Sequence, residues 1–389
     1  MKITKLYKEF FNSEKTSGLI LIVCTILSLT IANSSLNTNY HAFWNIQFAG
    51  HSIVHWINDG LMAIFFLLIG LELEREIYHG ELSNIKDALL PIFAALGGIL
   101  IPAGIYMYFN MGTNTQSGAG IPMATDIAFA LGILSLLGKR VPTSLKIFLT
   151  ALAVIDDLGA ILIIATFYTK TIFWTNLLIA FGIFGTLLLL NKLKVKSLIV
   201  YLIGGVAMWY FMLNSGVHAT ITGVLLAFAI PYRDGSKNST SYKLQHFLHK
   251  PVAFIILPVF ALANTAIVLS GDIGETLSQN YSIGIALGLI IGKPLGIFAI
   301  TFLAVSFKLC KLPNDLNWKS IIGVGFLGGI GFTMSIFITL LAFDNDDIIN
   351  KAKFIILISS LVAGLIGFIS LKLTLKKKKQ KTSKAQTHL

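Results

Sequence analysis

The sequence predicts an all-α integral membrane protein of twelve transmembrane helices, and three observations carry that expectation. Apolar residues make up 55% of the 389-residue chain and charged residues only 12%, with a mean hydropathy of +0.79; soluble proteins carry roughly 25% charge. Apolar runs of about 20 residues, the length that crosses a bilayer, recur from end to end. The charges that remain are sorted between alternate loops. The longest polar stretch, between Pro231 and Pro251, reads as a linker, since a folded domain needs at least ~50 residues. Residues 1–389 therefore read as one membrane domain.

The spans fall near residues 16–34, 56–73, 88–109, 118–137, 145–167, 171–190, 197–213, 216–231, 251–269, 281–306, 320–342 and 352–371. Charge tests this count independently, because short cytoplasmic loops carry the excess of Lys and Arg. With the N-terminus inside, all but four of the 30 basic residues fall on the inner side, ending in a basic tail over 372–389. Lys170, Lys351 and Lys353 fall outside, and Lys293 lies within the tenth span. Both termini are expected in the cytoplasm. The five tryptophans stand near span ends, where amphipathic rings prefer to sit. The run Lys376 to Lys379 reads as a tail drawn to anionic lipid, not as a nucleic-acid site. Cys24 and Cys310 offer no disulfide framework. The Lys-rich start followed by Gly18 to Ala32 also fits a signal peptide, although an uncleaved first span suits it equally well.

Four charges stand where a bilayer disfavours them. Asp126, Asp156, Asp157 and Lys293 each cost at least ~3 kcal/mol at mid-membrane on insertion scales, so they should face water or one another. Asp156 and Asp157 follow one another on the fifth span, and adjacent helical positions differ by about 100°, so the two carboxylates point apart. Two close carboxylates in a low dielectric also favour keeping a proton on one of them. A hydrogen-bonded structural pair is the bland alternative. Pro122 removes a backbone donor and disfavours helix at Ile121, inviting a break in the fourth span; Thr125 or Asp126 can then cap the half-helix that follows. Capping alone, or capping beside an ion path, both fit.

The eleventh span carries Gly323, Gly325, Gly328, Gly329 and Gly331, a weak helix with room for an unwound stretch. The third to fifth spans begin inside and the tenth to twelfth outside, so the triplets have opposite topology. A Pro-interrupted span in one and a Gly-interrupted span at the same place in the other mark an inverted-repeat transporter with a midplane site. Lys293, about a dozen residues from either end of its span, is too deep to snorkel easily and should pair with an intramembrane aspartate or with helix C-termini.

These stretches resemble the bacterial sodium/proton antiporters of the NhaA type, themselves an example of inverted-repeat folds. The resemblance runs through INDGLMAIFFLLIGLELERE from Ile57, ATDIAFA and VPTSLKIFLTAL between Ile121 and Leu152, IDDLGA from Ile155, SGVHATITGV from Ser215, IGKPLG from Ile291 and GGIGFTMSIF from Gly328. It implies that the fourth and eleventh spans are broken and cross at midplane. It further implies that Asp157 binds the cation with Asp156 as its neighbour, and that Thr125 lies on the ion path. Asp126 would balance helix N-termini; Lys293 would balance C-termini and pair with Asp156. The implied activity is electrogenic export of Na+ and Li+ for H+ across the bacterial inner membrane, activated at alkaline pH, with no cofactor and no enzymatic step. The implied pH sensor comprises Glu72, Glu76, His246 and His249, with His218 at the outer face; from the residues alone, Glu72, Glu74, Arg75 and Glu76 fit a solvated helix end equally well, and His218 fits a simple interfacial histidine better. Gln245 stands where better-known members carry glutamate, so part of that sensor is missing. Members dimerise through a β-hairpin between the first two spans; residues 35–55 hold a shorter segment with a plausible strand pair around Gly50.

Three rivals are weaker. A sodium-coupled organic symporter calls for aromatic or larger polar groups at the breaks, where this sequence has Thr125, Thr333 and Ser335. An intramembrane aspartyl protease needs facing carboxylates that share a proton, which adjacent Asp156 and Asp157 cannot form. A channel is the third, which saturating, gradient-coupled exchange would exclude.

Overall fold

The computed structural model describes residues 2–169, 171–232, 235–268 and 273–375, with side chains from Lys15 onward except at 81. Lys170, Arg233 and the tail beyond residue 375, including the Lys376 to Lys379 run, lie outside the described residues.

A helix satisfies its own backbone groups, which is what hydrocarbon demands of a spanning segment. In chain order the helices are α1 (Lys2–Ala32), α2 (Ile53–His79) and α3 (Ile85–Asn110), then a tight 3-10 segment Gln116–Met123 followed by α4 (Ile127–Leu136). Next come α5 (Thr143–Phe167), α6 (Trp174–Lys192), α7 (Leu198–Leu213) and α8 (Ile221–Ala229). The last are α9 (Thr240–Asn264), α10 (Asn280–Ser306), α11 (Trp318–Gly328), α12 (Phe332–Ala342) and α13 (Asp346–Thr374). Among the described residues nine helical stretches are long and apolar enough to cross a membrane, or ten when α11 and α12 count as one span bent by 48°.

Two of the expected spans are short helices: α7 has 16 residues and α8 nine. Part of the eighth run is spent on a turn ahead of α8, where Gly216 takes φ +84°. A Cβ there would strike the Thr171 carbonyl, so only glycine fits. The polar stretch read as a linker before Pro251 is in its second half the start of α9. Ser239 caps it, accepting from Tyr242 N at 3.2 Å. Ser241, Leu244, Gln245 and Leu248 are buried along one face. That helical period is masked in the sequence by Lys and His on the other faces.

The bundle is close-packed where small residues let backbones meet. A Cβ on Gly97 of α3 would occupy the place of the Gly296 carbonyl of α10, and the converse also holds. α1 is keyed into the bundle by Ser28, whose hydroxyl donates to the Leu262 carbonyl of α9 at 2.7 Å. Between α1 and α2, a short helix (Asn37–Trp44) leads into a hairpin of β1 (Gln47–Phe48) and β2 (His51–Ser52), paired antiparallel with Gln47 opposite Ser52. Ala49 and Gly50 both take positive φ, as a two-residue hairpin turn requires.

Candidate functional site

The site is assembled by two interruptions that face one another. The 3-10 segment ends at Met123, and Ala124 and Asp126 are extended before α4 begins. α11 ends at Gly328 and α12 starts at Phe332. Backbone groups freed by one break are satisfied by the other: Asp126 N donates to Ile330 O at 2.7 Å, and the Ser335 hydroxyl donates to Ile121 O at 2.7 Å. Phe332 N finds the Ser360 hydroxyl of α13 at 3.1 Å. Irregular backbone at membrane depth is tolerated only with such partners.

Four helix ends meet here, and a charge stands at each pair. Asp126 caps α4, accepting from Phe129 N at 3.0 Å through Oδ1, while its Oδ2 accepts from Thr333 N at 3.1 Å and from the Thr333 hydroxyl. One carboxylate thus serves the N-termini of α4 and α12, where the helix dipoles favour negative charge. On the opposite side the Lys293 ammonium donates to Met123 O, at the C-terminal end of the 3-10 segment, and its side chain packs beside Gly328, the last residue of α11. The same ammonium lies 2.7 Å from Asp156 Oδ2, with both side chains fully buried. The Thr125 hydroxyl is 2.7 Å from Asp156 Oδ2 and 2.8 Å from Gly328 O, and can donate to one at a time.

Asp157 differs from all of these. It is 1% exposed, and neither carboxylate oxygen has a hydrogen-bond partner among the described residues; Asp156 Oδ1 is likewise unpartnered. The charges acting on Asp157 are the carboxylates of Asp156, Asp126 and Glu72 and the single cation Lys293. A buried carboxylate without donors is costly unless a proton or a cation joins it.

A cavity of about 830 Å³ runs toward this cluster, lined at its inner end by Asp126, Thr333 and Val154 and at its mouth by Glu72, Glu76 and His249. Asp157 lies three residues beyond Val154 on the same face of α5. His246 and Gln245 also line the mouth, and Gln245 hydrogen-bonds Glu72. The cavity therefore brings Glu72, Glu76, His246 and His249 together, but not His218. That histidine lies in the turn ahead of α8, with Nε2 2.9 Å from Tyr168 O. Sequence reasoning missed Glu74, a buried neighbour of this mouth whose carboxylate accepts from the Ser241 hydroxyl at 3.1 Å. Glu74 stands among charges that resemble a solvated helix end, and the buried face of α9 opposite it is the signal that marks it. The second role of Asp126 at Thr333, 207 residues away, left no mark in local sequence.

A polytopic helical bundle with charges gathered where two interrupted helices meet defines an ion-handling membrane protein. The chain belongs to the Na+/H+ antiporter 1 family, whose model matches residues 8–371. A Na(+)/H(+) antiporter NhaA of Flavobacterium psychrophilum is 75% identical over 97% of this chain and 98% of its own length. NhaA 1 of Flavobacterium johnsoniae is 64% identical over 96% of this chain and 98% of its own length, and NhaA of Cytophaga hutchinsonii 61% identical over 97% of each.

Proposed function

We propose that this protein is a twelve-span secondary antiporter of the bacterial inner membrane, with both termini cytoplasmic, that exports Na+ and Li+ in exchange for external H+. The observation that carries this reading is the unpartnered, buried carboxylate of Asp157 beside the Lys293–Asp156 pair. Asp157, with the free oxygen of Asp156 and the hydroxyl of Thr125, offers oxygen ligands to a small hard cation arriving through the cavity. Sodium and protons compete for these carboxylates, so each is released when the other binds. Asp126 and Lys293 hold the helix ends in place by balancing their partial charges. When Asp156 takes part in the exchange, Lys293 loses its partner or gains it back, which couples ion occupancy to the packing of the interrupted helices. In this reading α7 and α8 complete the twelve spans together with neighbouring non-helical residues.

More protons enter than sodium ions leave, so exchange is electrogenic. Glu72, Glu76, His246 and His249 at the cavity mouth and His218 at the outer face set the alkaline activation, and no cofactor takes part. The hairpin within residues 35–55 supports a homodimer, because each two-residue strand leaves an edge free to pair, and membrane lipids cover the remaining apolar surface. Reconstituted protein with an internal pH-sensitive dye tests the central reading: sodium or lithium, but not potassium, should dissipate a preformed proton gradient. No response to either ion would overturn it.

A further inference from the structure

The hairpin is joined to the bundle by a column of titratable side chains that the exchange mechanism does not use. His51 on β2 stacks on His55, with ring centroids 4.2 Å apart and planes inclined by 17°. His55 Nδ1 is 3.3 Å from Asp59 Oδ2, one helical turn further into α2. Asp59 lies in a π-helical turn, Trp56–Leu61, a local insertion that turns up often at functional positions. Two indoles frame the column. Trp56 donates through Nε1 to Phe48 O of the hairpin at 2.8 Å, and its ring meets that of His51 edge-on at 6.1 Å. Trp209 of α7 donates to the Asp59 carbonyl at 3.3 Å and lies 5.9 Å from the Trp56 ring.

We propose that His51, His55 and Asp59 form an outer proton-binding site that ties hairpin position to external pH. The site rests on the antiport reading and orientation given above and adds to it a second, outward-facing proton sensor. The chemistry follows from geometry. Stacked imidazoles this close repel one another when both are charged, so a charge on one ring acts directly on its neighbour. A proton on His55, whose Nδ1 faces the carboxylate, converts the contact of Asp59 with a neutral imidazole into an ion pair next to the indole that anchors the hairpin. The other groups acting on Asp59 are His51 itself and His218, from the turn before α8. Of the helices packed on this segment, Asn37–Trp44 carries Tyr40 and His41, and α9 brings Asn264, which hydrogen-bonds Asn58 at 2.7 Å and does not titrate.

The full-length protein in liposomes, with inner pH clamped and outer pH varied, supplies two readouts. Tryptophan emission reports proton binding without transport, since the imidazolium quenches a nearby indole; the step that Trp56→Phe removes belongs to this site. We expect one such step with outer pH, abolished in His51→Gln/His55→Gln and displaced to lower pH in Asp59→Asn, because loss of the anion disfavours the charged imidazole. Exchange rates should lose, in the double variant, the step in outer pH that coincides with the emission step, while keeping the graded dependence that H+ imposes as a substrate and the dependence on inner pH. A step unchanged in both variants, or one that follows inner pH alone, overturns the proposal. Wild-type protein that shows the emission step but no exchange retains the proton site and overturns the antiport reading.

Discussion

Asp157 and Lys293 occupy the same buried cluster but depend on it in opposite ways. Asp157 has no donor among the described residues, so its ionised form is maintained against the membrane only by what it binds. Asp157→Asn removes that charge and should abolish sodium-driven proton release while leaving the protein inserted and at least as heat-stable as the parent, measured by dye fluorescence and by melting in detergent. Retained exchange near the parental rate would remove Asp157 from its role. Lys293 is matched to Asp156 at 2.7 Å, with neither side chain exposed. Removing one partner of such a pair strands the other at a cost of roughly 3 to 5 kcal/mol, whereas replacing both by neutral groups of similar size is often neutral or stabilising. Lys293→Ala should therefore melt well below the parent, and Asp156→Asn/Lys293→Met should recover most of the loss without recovering exchange. A double variant as unstable as the single one would show that Lys293 matters through Met123 and the helix ends rather than through Asp156.

At the scale of elements, one carboxylate bridges the N-termini of α4 and α12, beside the backbone and hydroxyl contacts that also join the two interruptions. Losing an N-cap typically costs about 1 kcal/mol, and Asp126 caps α4 while also accepting from Thr333 at the start of α12. Asp126→Ala should therefore destabilise by roughly twice the single-cap cost. Asp126→Asn, which keeps an acceptor oxygen but not the charge, should fall between Ala and the parent in melting temperature. Equal losses in the two variants would assign the effect to charge and not to capping. The contact of α3 with α10 makes a second demand on geometry, because a Gly97 side chain would meet backbone that cannot rotate away. Gly97→Val should reduce the folded fraction in the membrane, read by the yield of monodisperse protein in mild detergent.

For the molecule as a whole, the coupling of sodium to protons is a thermodynamic statement. If sodium displaces protons from the same carboxylates, the apparent sodium constant rises about tenfold per pH unit for each proton displaced, so two protons imply a limiting slope near two below the carboxylate range. Each net inward charge adds about 2.3 kcal/mol per 100 mV, equivalent to a sodium gradient of roughly fifty-fold. Valinomycin with potassium should then accelerate exchange by collapsing the opposing potential. A slope near one with no valinomycin effect would leave exchange intact but make it electroneutral.

Much of this was legible in the chain itself, because hydrocarbon imposes strict local rules. Apolar run length sets where helices form, and the cost of burying charge singles out Asp126, Asp156, Asp157 and Lys293 with no tertiary information. Pro122 and the glycines from Gly323 to Gly331 marked where two helices are interrupted, since backbone preference is written in individual residues. Partnership was decided only in three dimensions. Asp126 meets Thr333 and Lys293 meets both Asp156 and Met123 across separations of well over a hundred residues, and local periodicity carries no record of such pairings. The same holds for the buried face of α9 before Pro251, for Glu74 on Ser241, and for the stacking of His51 on His55. Sequence determines which groups cannot rest alone in a membrane; packing decides which of them are matched and which one, Asp157, is left without a donor among the described residues.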